Sequence, residues 1–66
     1  MNFIKVKNDI TGYDELINLD QITRIAAKYC GWFTWKYEIY FGDNTPAVMV
    51  SDSSKEKPFK AIGTSL

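Results

Sequence analysis

The chain has no histidine, a single cysteine, four glycines and two prolines, and its eight basic and eight acidic residues cancel. Without histidine it lacks the commonest general base and the commonest metal ligand. Cys30 alone forms no internal disulfide, which suits a reducing cytoplasm better than a secreted scaffold. With no imidazole beside it, the thiol reads as structural, beside Gly31 in a turn or packed as a small hydrophobe, rather than as a nucleophile. Gly12, Gly31, Gly42 and Gly63 match no phosphate-cradling motif, and Gly42-Asp43-Asn44 lacks the ligand spacing of a calcium loop. Zero net charge argues against a protein built around phosphate neutralisation. No apolar run approaches the length of a membrane span, and Lys5 and Lys7 interrupt any signal-peptide core. The expectation is a cytoplasmic protein that is not an enzyme, with no catalytic residue, no metal and no cofactor.

Aromatics, by contrast, are concentrated. Trp32 to Phe41 reads WFTWKYEIYF, six aromatics in ten positions. Alternation sorts Phe33, Trp35, Tyr37, Ile39 and Phe41 onto one apolar face, and Trp32, Thr34, Lys36, Glu38 and Tyr40 onto a mixed one. A period of two in aromatic and β-branched residues predicts a strand buried on one side, bracketed by Gly31 and Gly42. Sixty-six residues allow one domain, spanning 1–66. A chain this short buries only about 60% of its unfolded surface, so self-association or docking would relieve a marginal core.

The remaining elements follow from the same periodicity. Phe3 to Lys7 alternates as a first strand with Ile4 and Val6 on one face. Residues 14–30 admit two readings. As a helix, Asp14 would cap it and Gly31 end it, although Asn18 and Thr23 fall within the apolar arc. As strands, Glu15 to Leu19 and Ile22 to Tyr29 flank a corner at Asp20-Gln21. Antiparallel pairing onto the aromatic strand favours the second. An Asx-type bond from Asp20 is the ordinary explanation of that corner. Gly42 to Thr45 predicts a turn tolerant of positive φ, Ala47 to Val50 a returning strand with Pro46 at its edge. Residues 52–66 form a polar tail in which Pro58 is expected to break any helix, leaving Phe59 and Ile62 to pack as a short turn or edge strand, or the end to fray. The fold class is therefore all-β, or β-rich with one short helix: a single antiparallel sheet of about five strands, SH3-like or curled as an open barrel.

Leu16-Ile17-Asn18-Leu19-Asp20-Gln21-Ile22 with Ile25, then Glu38 to Asp43, then Val48-Met49-Val50-Ser51-Asp52-Ser53, resembles small bacterial flagellar proteins of the FlbD-like type. That resemblance covers residues 3–53 and implies an opening strand, a corner, a hairpin and a short strand leading into a helix. It supports strands over 14–30. The expected source is a bacterium or its mobile elements. The chain departs from the pattern in its long aromatic hairpin and in Pro58.

The mixed face suggests where function resides. Trp32, Lys36 and Tyr40, with Arg24 and Lys28 on the preceding strand, would share one surface. Trp, Tyr and Arg dominate protein-binding hot spots, so a non-catalytic protein-interaction module is expected, its partner another protein or a second copy. The alternative is single-stranded nucleic acid stacking on the aromatic and basic face. Against that alternative stands the plainer possibility that Trp32 and Tyr40 cap the barrel ends or cover a second small cluster with Phe3 and Phe59. A homodimer is expected through the Ala47–Val50 edge, unless Phe59 and Ile62 cover that edge instead.

Overall fold

A computed structural model describes residues 2–63. Five strands and one short helix follow in chain order: β1 (Phe3–Lys7), β2 (Asp14–Asn18), β3 (Ile22–Tyr29), β4 (Trp35–Phe41), β5 (Val48–Ser51) and α1 (Glu56–Ile62). The strands form two antiparallel sheets, β1-β2 and β3-β4-β5, which do not close into a barrel. The β-rich class with one short helix is thus present, as two small sheets rather than one.

Residues 14–30 are strands. A 3-10 turn at Leu19–Gln21 joins β2 to β3, with the Asn18 side chain accepting the Asp20 N–H at 3.0 Å. The Asx bond at this corner therefore comes from Asn18, not Asp20. Where β4 ends over that turn, Gly42 donates its N–H to the Gln21 carbonyl at 2.8 Å. A Cβ there would lie 2.9 Å from the Thr23 methyl, so any other residue would force the Thr23 side chain to shift.

The core draws on every layer. Val6 and Ile17 come from the first sheet, Tyr37, Ile39, Val48 and Val50 from the second, and Phe59 from α1. Phe59 meets Tyr37 edge-to-face with ring centroids 5.2 Å apart, a favoured quadrupole geometry. Pro58 does not break α1. It lies in the first turn, whose N–H groups have no intrahelical acceptor in any case. The first helical bond runs from Phe59 N–H to the Lys55 carbonyl at 3.0 Å, and Gly63 in the left-handed region ends the helix. Residues 52–63 are therefore folded, and the expected fraying of residues 64–66 lies outside the described residues.

The two sheets meet through the β1–β2 turn. Asn8 is 4% exposed, yet its polar atoms are all occupied. Its Nδ2 donates to Glu15 Oε2 at 3.0 Å, and its Oδ1 accepts the N–H groups of Ile10 and Met49. Beside it the Asp9 N–H donates to the Met49 carbonyl at 2.8 Å. The outward N–H and C=O of Met49 are consequently consumed, so the β5 edge expected to pair with a second copy is closed. It is closed by Asn8 and Asp9; Phe59 packs into the core instead of over that edge.

Candidate functional site

The β3–β4 hairpin outruns the rest of the fold. Strand β5 accompanies β4 only from Lys36 to Ile39, whereas β3 continues pairing with it to Tyr29↔Trp35. The end of the hairpin is thus a two-stranded projection, on a molecule measuring 37 × 25 × 18 Å. Its core-side face keeps the alternation of β4 but loses its cover. Tyr37 and Ile39 are buried, while Trp35 and Tyr29 are 43% and 53% exposed, packed edge-to-face at 5.3 Å.

Beyond them, residues 30–34 turn the chain. Cys30 donates its N–H to the Thr34 carbonyl and Thr34 donates to the Gly31 carbonyl, both at 2.8 Å. Trp32 and Phe33 occupy the two central positions with φ of 52° and 58°. Positive φ at both centres is the signature of a type I′ hairpin turn, which favours Asn-Gly. Bulky side chains there cost roughly 1–2 kcal/mol per residue, because Cβ crowds the following carbonyl. The Tyr29 hydroxyl steadies the turn by accepting the Phe33 N–H at 3.2 Å. Trp32 and Phe33 are 94% and 95% exposed. Nothing within the described chain covers them.

This placement corrects the sequence expectation at two residues. Phe33 does not point into the core and Trp32 does not stand on the outer strand face, because β4 begins at Trp35. Of the five residues expected to form one surface, four remain on the outer face of the sheet. Arg24 lies opposite Tyr40 and stacks over its ring at 4.2 Å, and Lys28 lies opposite Lys36. The Tyr40 hydroxyl donates to Glu38 at 2.8 Å, and Lys36 pairs with Asp9 at 3.6 Å. Those contacts engage Arg24, Tyr40 and Lys36 internally. Trp32 stands instead with Phe33 in the turn at the hairpin end, beyond the Tyr29–Trp35 pair. One sequence signal pointed there: β3 and β4 need several residues to reverse direction, and Cys30-Gly31-Trp32-Phe33-Thr34 are the residues between them.

A second feature lies between β1 and α1. Lys5 and Lys7 from the strand face Lys57 and Lys60 from the helix across an open groove, with Ser53 and Ser54 at its end and Glu56 its one acidic residue. None of these four lysines makes an ion pair among the described residues.

Titration is perturbed around the Tyr37 hydroxyl, where the ring is buried and the oxygen reaches the surface. The hydroxyl donates to Asp52 at 3.0 Å and accepts from Lys55 at 3.2 Å, while Lys55 and Asp52 are 3.1 Å apart. The Lys55 ammonium, and then the Tyr37 hydroxyl, hold the Asp52 carboxyl below its ordinary value. The same hydroxyl, and then Asp52, raise Lys55. These three groups fasten the start of α1 to β4. Among the described residues no group of three His, Cys, Asp or Glu side chains could hold a metal ion, and no helix is long and apolar enough to cross a membrane. Cys30 is exposed, its Sγ 3.8 Å from the Lys28 carbonyl.

Comparison with protein-family models, curated proteins and solved structures finds no match.

Proposed function

We propose that the chain is a non-catalytic binding module that docks onto another protein through the aromatic end of the β3–β4 hairpin. The observation that carries this reading is the pairing of strain with exposure at Trp32 and Phe33. Both residues occupy backbone positions that disfavour them, and neither side chain is covered in return. Strained backbone kept at a surface is a mark of a working site, since the fold alone would favour Asn-Gly. A Trp and a Phe offered together supply large, rigid contact area at little entropic cost, which suits insertion into an apolar cleft. Tyr29 and Trp35 extend the contact, and Lys28 supplies a charge at its rim.

The test compares capture by the intact chain with capture by Trp32→Asn/Phe33→Gly, which keeps the turn and removes the anchors. A partner protein retained by the intact chain and by Tyr13→Ala, a control at another exposed aromatic, should be lost with the double variant. Retention of the partner by the double variant would overturn the reading. So would insertion of Trp32 into neutral phospholipid vesicles, seen as a blue shift of its fluorescence, with no protein partner captured.

A second reading is favoured by one observation, the lysine groove between β1 and α1. Its four ammonium groups would suit an anionic strand, with affinity falling steeply as salt rises. The outer sheet face is a poorer platform for stacked bases, because Arg24 already covers one side of Tyr40. Titration with single-stranded oligonucleotides across salt separates the two, since the groove reading requires binding that Lys57→Gln/Lys60→Gln abolishes and Trp32→Asn/Phe33→Gly spares.

A further inference from the structure

Strand β3 forms one margin of the three-stranded sheet, and among the described residues no strand or loop bonds to its outer side as Asn8 and Asp9 do to β5. Its hydrogen-bonding phase can be read from both sides. Met49 spends its N–H and C=O on Asn8 and Asp9, so Val48 and Val50 bond to Ile39 and Tyr37, which leaves Lys36, Glu38 and Tyr40 to bond to β3. The Cys30–Thr34 bond at the hairpin end lies in the same series, two residues beyond Lys28↔Lys36. Both routes agree. Arg24, Ala26 and Lys28 bond inward to β4, and Ile25, Ala27 and Tyr29 direct their N–H and C=O groups outward. None of the described turn, loop or cap bonds engages those three residues.

We propose that a second copy of the chain pairs antiparallel with this margin, β3 against β3, about a two-fold axis at Ala27. Outward-bonding residues must face one another, which permits axes at Ile25, Ala26, Ala27 or Lys28. An axis at Lys28 sets that lysine against its own copy, a like-charge pair. An axis at Ala26 sets Arg24 against the partner's Lys28, and like charges directly opposite are destabilising. An axis at Ile25 leaves Tyr29 beyond the paired segment. An axis at Ala27 sets Ile25 against the partner's Tyr29 twice, a β-branched–aromatic pair on the core-side face. On the outer face it sets Ala26 against the partner's Lys28 and Arg24 against the partner's Cys30, with no like charges opposed. Two alanines at the centre let the backbones approach. The product is one six-stranded sheet, in which Tyr29 gains cover and Trp32 and Phe33 remain free at opposite ends. A paired segment this short lies at or below the roughly 1,200–2,000 Å² of stable interfaces, so association depends on concentration.

Sedimentation of the full chain should show its 7.6 kDa mass doubling as concentration rises. Ala27→Pro removes only an outward N–H, which an edge strand tolerates; it should sediment as a monomer at every concentration while keeping the circular dichroism of the parent. Cysteine pairing provides a readout that does not depend on that variant folding. In a Cys30→Ser background, Ala27→Cys places two thiols at Cα positions about 5.5 Å apart across the axis, within disulfide range. It should cross-link under mild oxidation, whereas Ala26→Cys should not. A full chain that stays monomeric at the highest concentration, a folded Ala27→Pro that still doubles in mass, or cross-linking that favours Ala26→Cys would each overturn the proposal.

Discussion

Asn8 Oδ1 accepts the Met49 N–H at 3.2 Å, joining residues 41 positions apart and thereby the two sheets. The same side chain satisfies Ile10 and Glu15, so one amide serves three partners at a nearly sealed site. A buried polar group costs about 1–3 kcal/mol when its partner is lost. Asn8→Ala should therefore destabilise the chain by about 2–4 kcal/mol, more than any surface substitution, as measured by urea unfolding. Asn8→Asp keeps the acceptor but sets a carboxylate against Glu15, so its deficit should shrink when the pair is protonated at low pH. A loss under about 0.5 kcal/mol for Asn8→Ala would mean that water replaces the amide without cost.

The turn variant Trp32→Asn/Phe33→Gly should raise stability. Relief of left-handed strain is worth about 1–2 kcal/mol per residue, against about 0.5–1 kcal/mol lost to glycine's greater freedom when unfolded. A net gain of about 1–3 kcal/mol, read as a higher urea midpoint or melting temperature, is expected. Lower stability would show that the two aromatics pack usefully within the chain, which their exposure contradicts.

Tyr37→Phe tests the fastening of α1. Asp52 is held below the ordinary carboxyl value of 3.8, so its contribution is present above that pH and is lost as pH falls through the folded value. Lys55 is raised above 10.5, so its contribution is present below that pH and is lost as pH rises past the folded value. Tyr37→Phe should flatten both limbs of the stability–pH curve, and Asp52→Asn chiefly the acid limb. Asp43, lowered by its bonds to Thr45, retains an acid response in either variant. Denaturant midpoints collected across acid and alkaline pH report the flattening. Unchanged limbs in both variants would exclude the triad as their source.

Phe59→Ala removes the ring that α1 inserts against Tyr37. Truncating a buried Phe costs about 3–5 kcal/mol, comparable to the whole stability of so small a domain. Circular dichroism should show the variant largely unfolded at room temperature. A chain ending after Ser54 should behave alike, because seven helical residues have no stability of their own. A folded truncation would mean that the two sheets suffice without the helix.

The strands were legible because each buries one face. Phe3 to Lys7 and Ile22 to Tyr29 alternate in sequence and are strands of those bounds, and the Asp20-Gln21 corner falls where the turn lies. The tip was misread for a physical reason. Alternation runs unbroken from Trp32 into Trp35, and nothing in a period of two marks where a strand begins when the turn itself is aromatic. Positive φ at Trp32 and Phe33 has no local signature, because these residue types oppose it. Pro58 misled in the opposite sense, since its effect depends on whether it falls in the first turn or the middle of a helix. The closure of β5 by Asn8 was beyond reach, as it joins distant segments through one side chain. So was the lysine groove, whose members are ordinary surface residues until α1 packs beside β1.

That groove gives a chain of zero net charge an uneven electric field. It holds four of the eight basic residues and one of the eight acidic ones, which leaves four basic and seven acidic residues elsewhere. Charge that cancels in sum but not in place constitutes a molecular dipole. Such a molecule turns in the field of a charged surface as it approaches, so that collisions favour one orientation even where attraction is weak. Dissolved salt shortens the distance over which that turning acts to about 8 Å at physiological ionic strength. A charged surface is therefore met preferentially with one side forward.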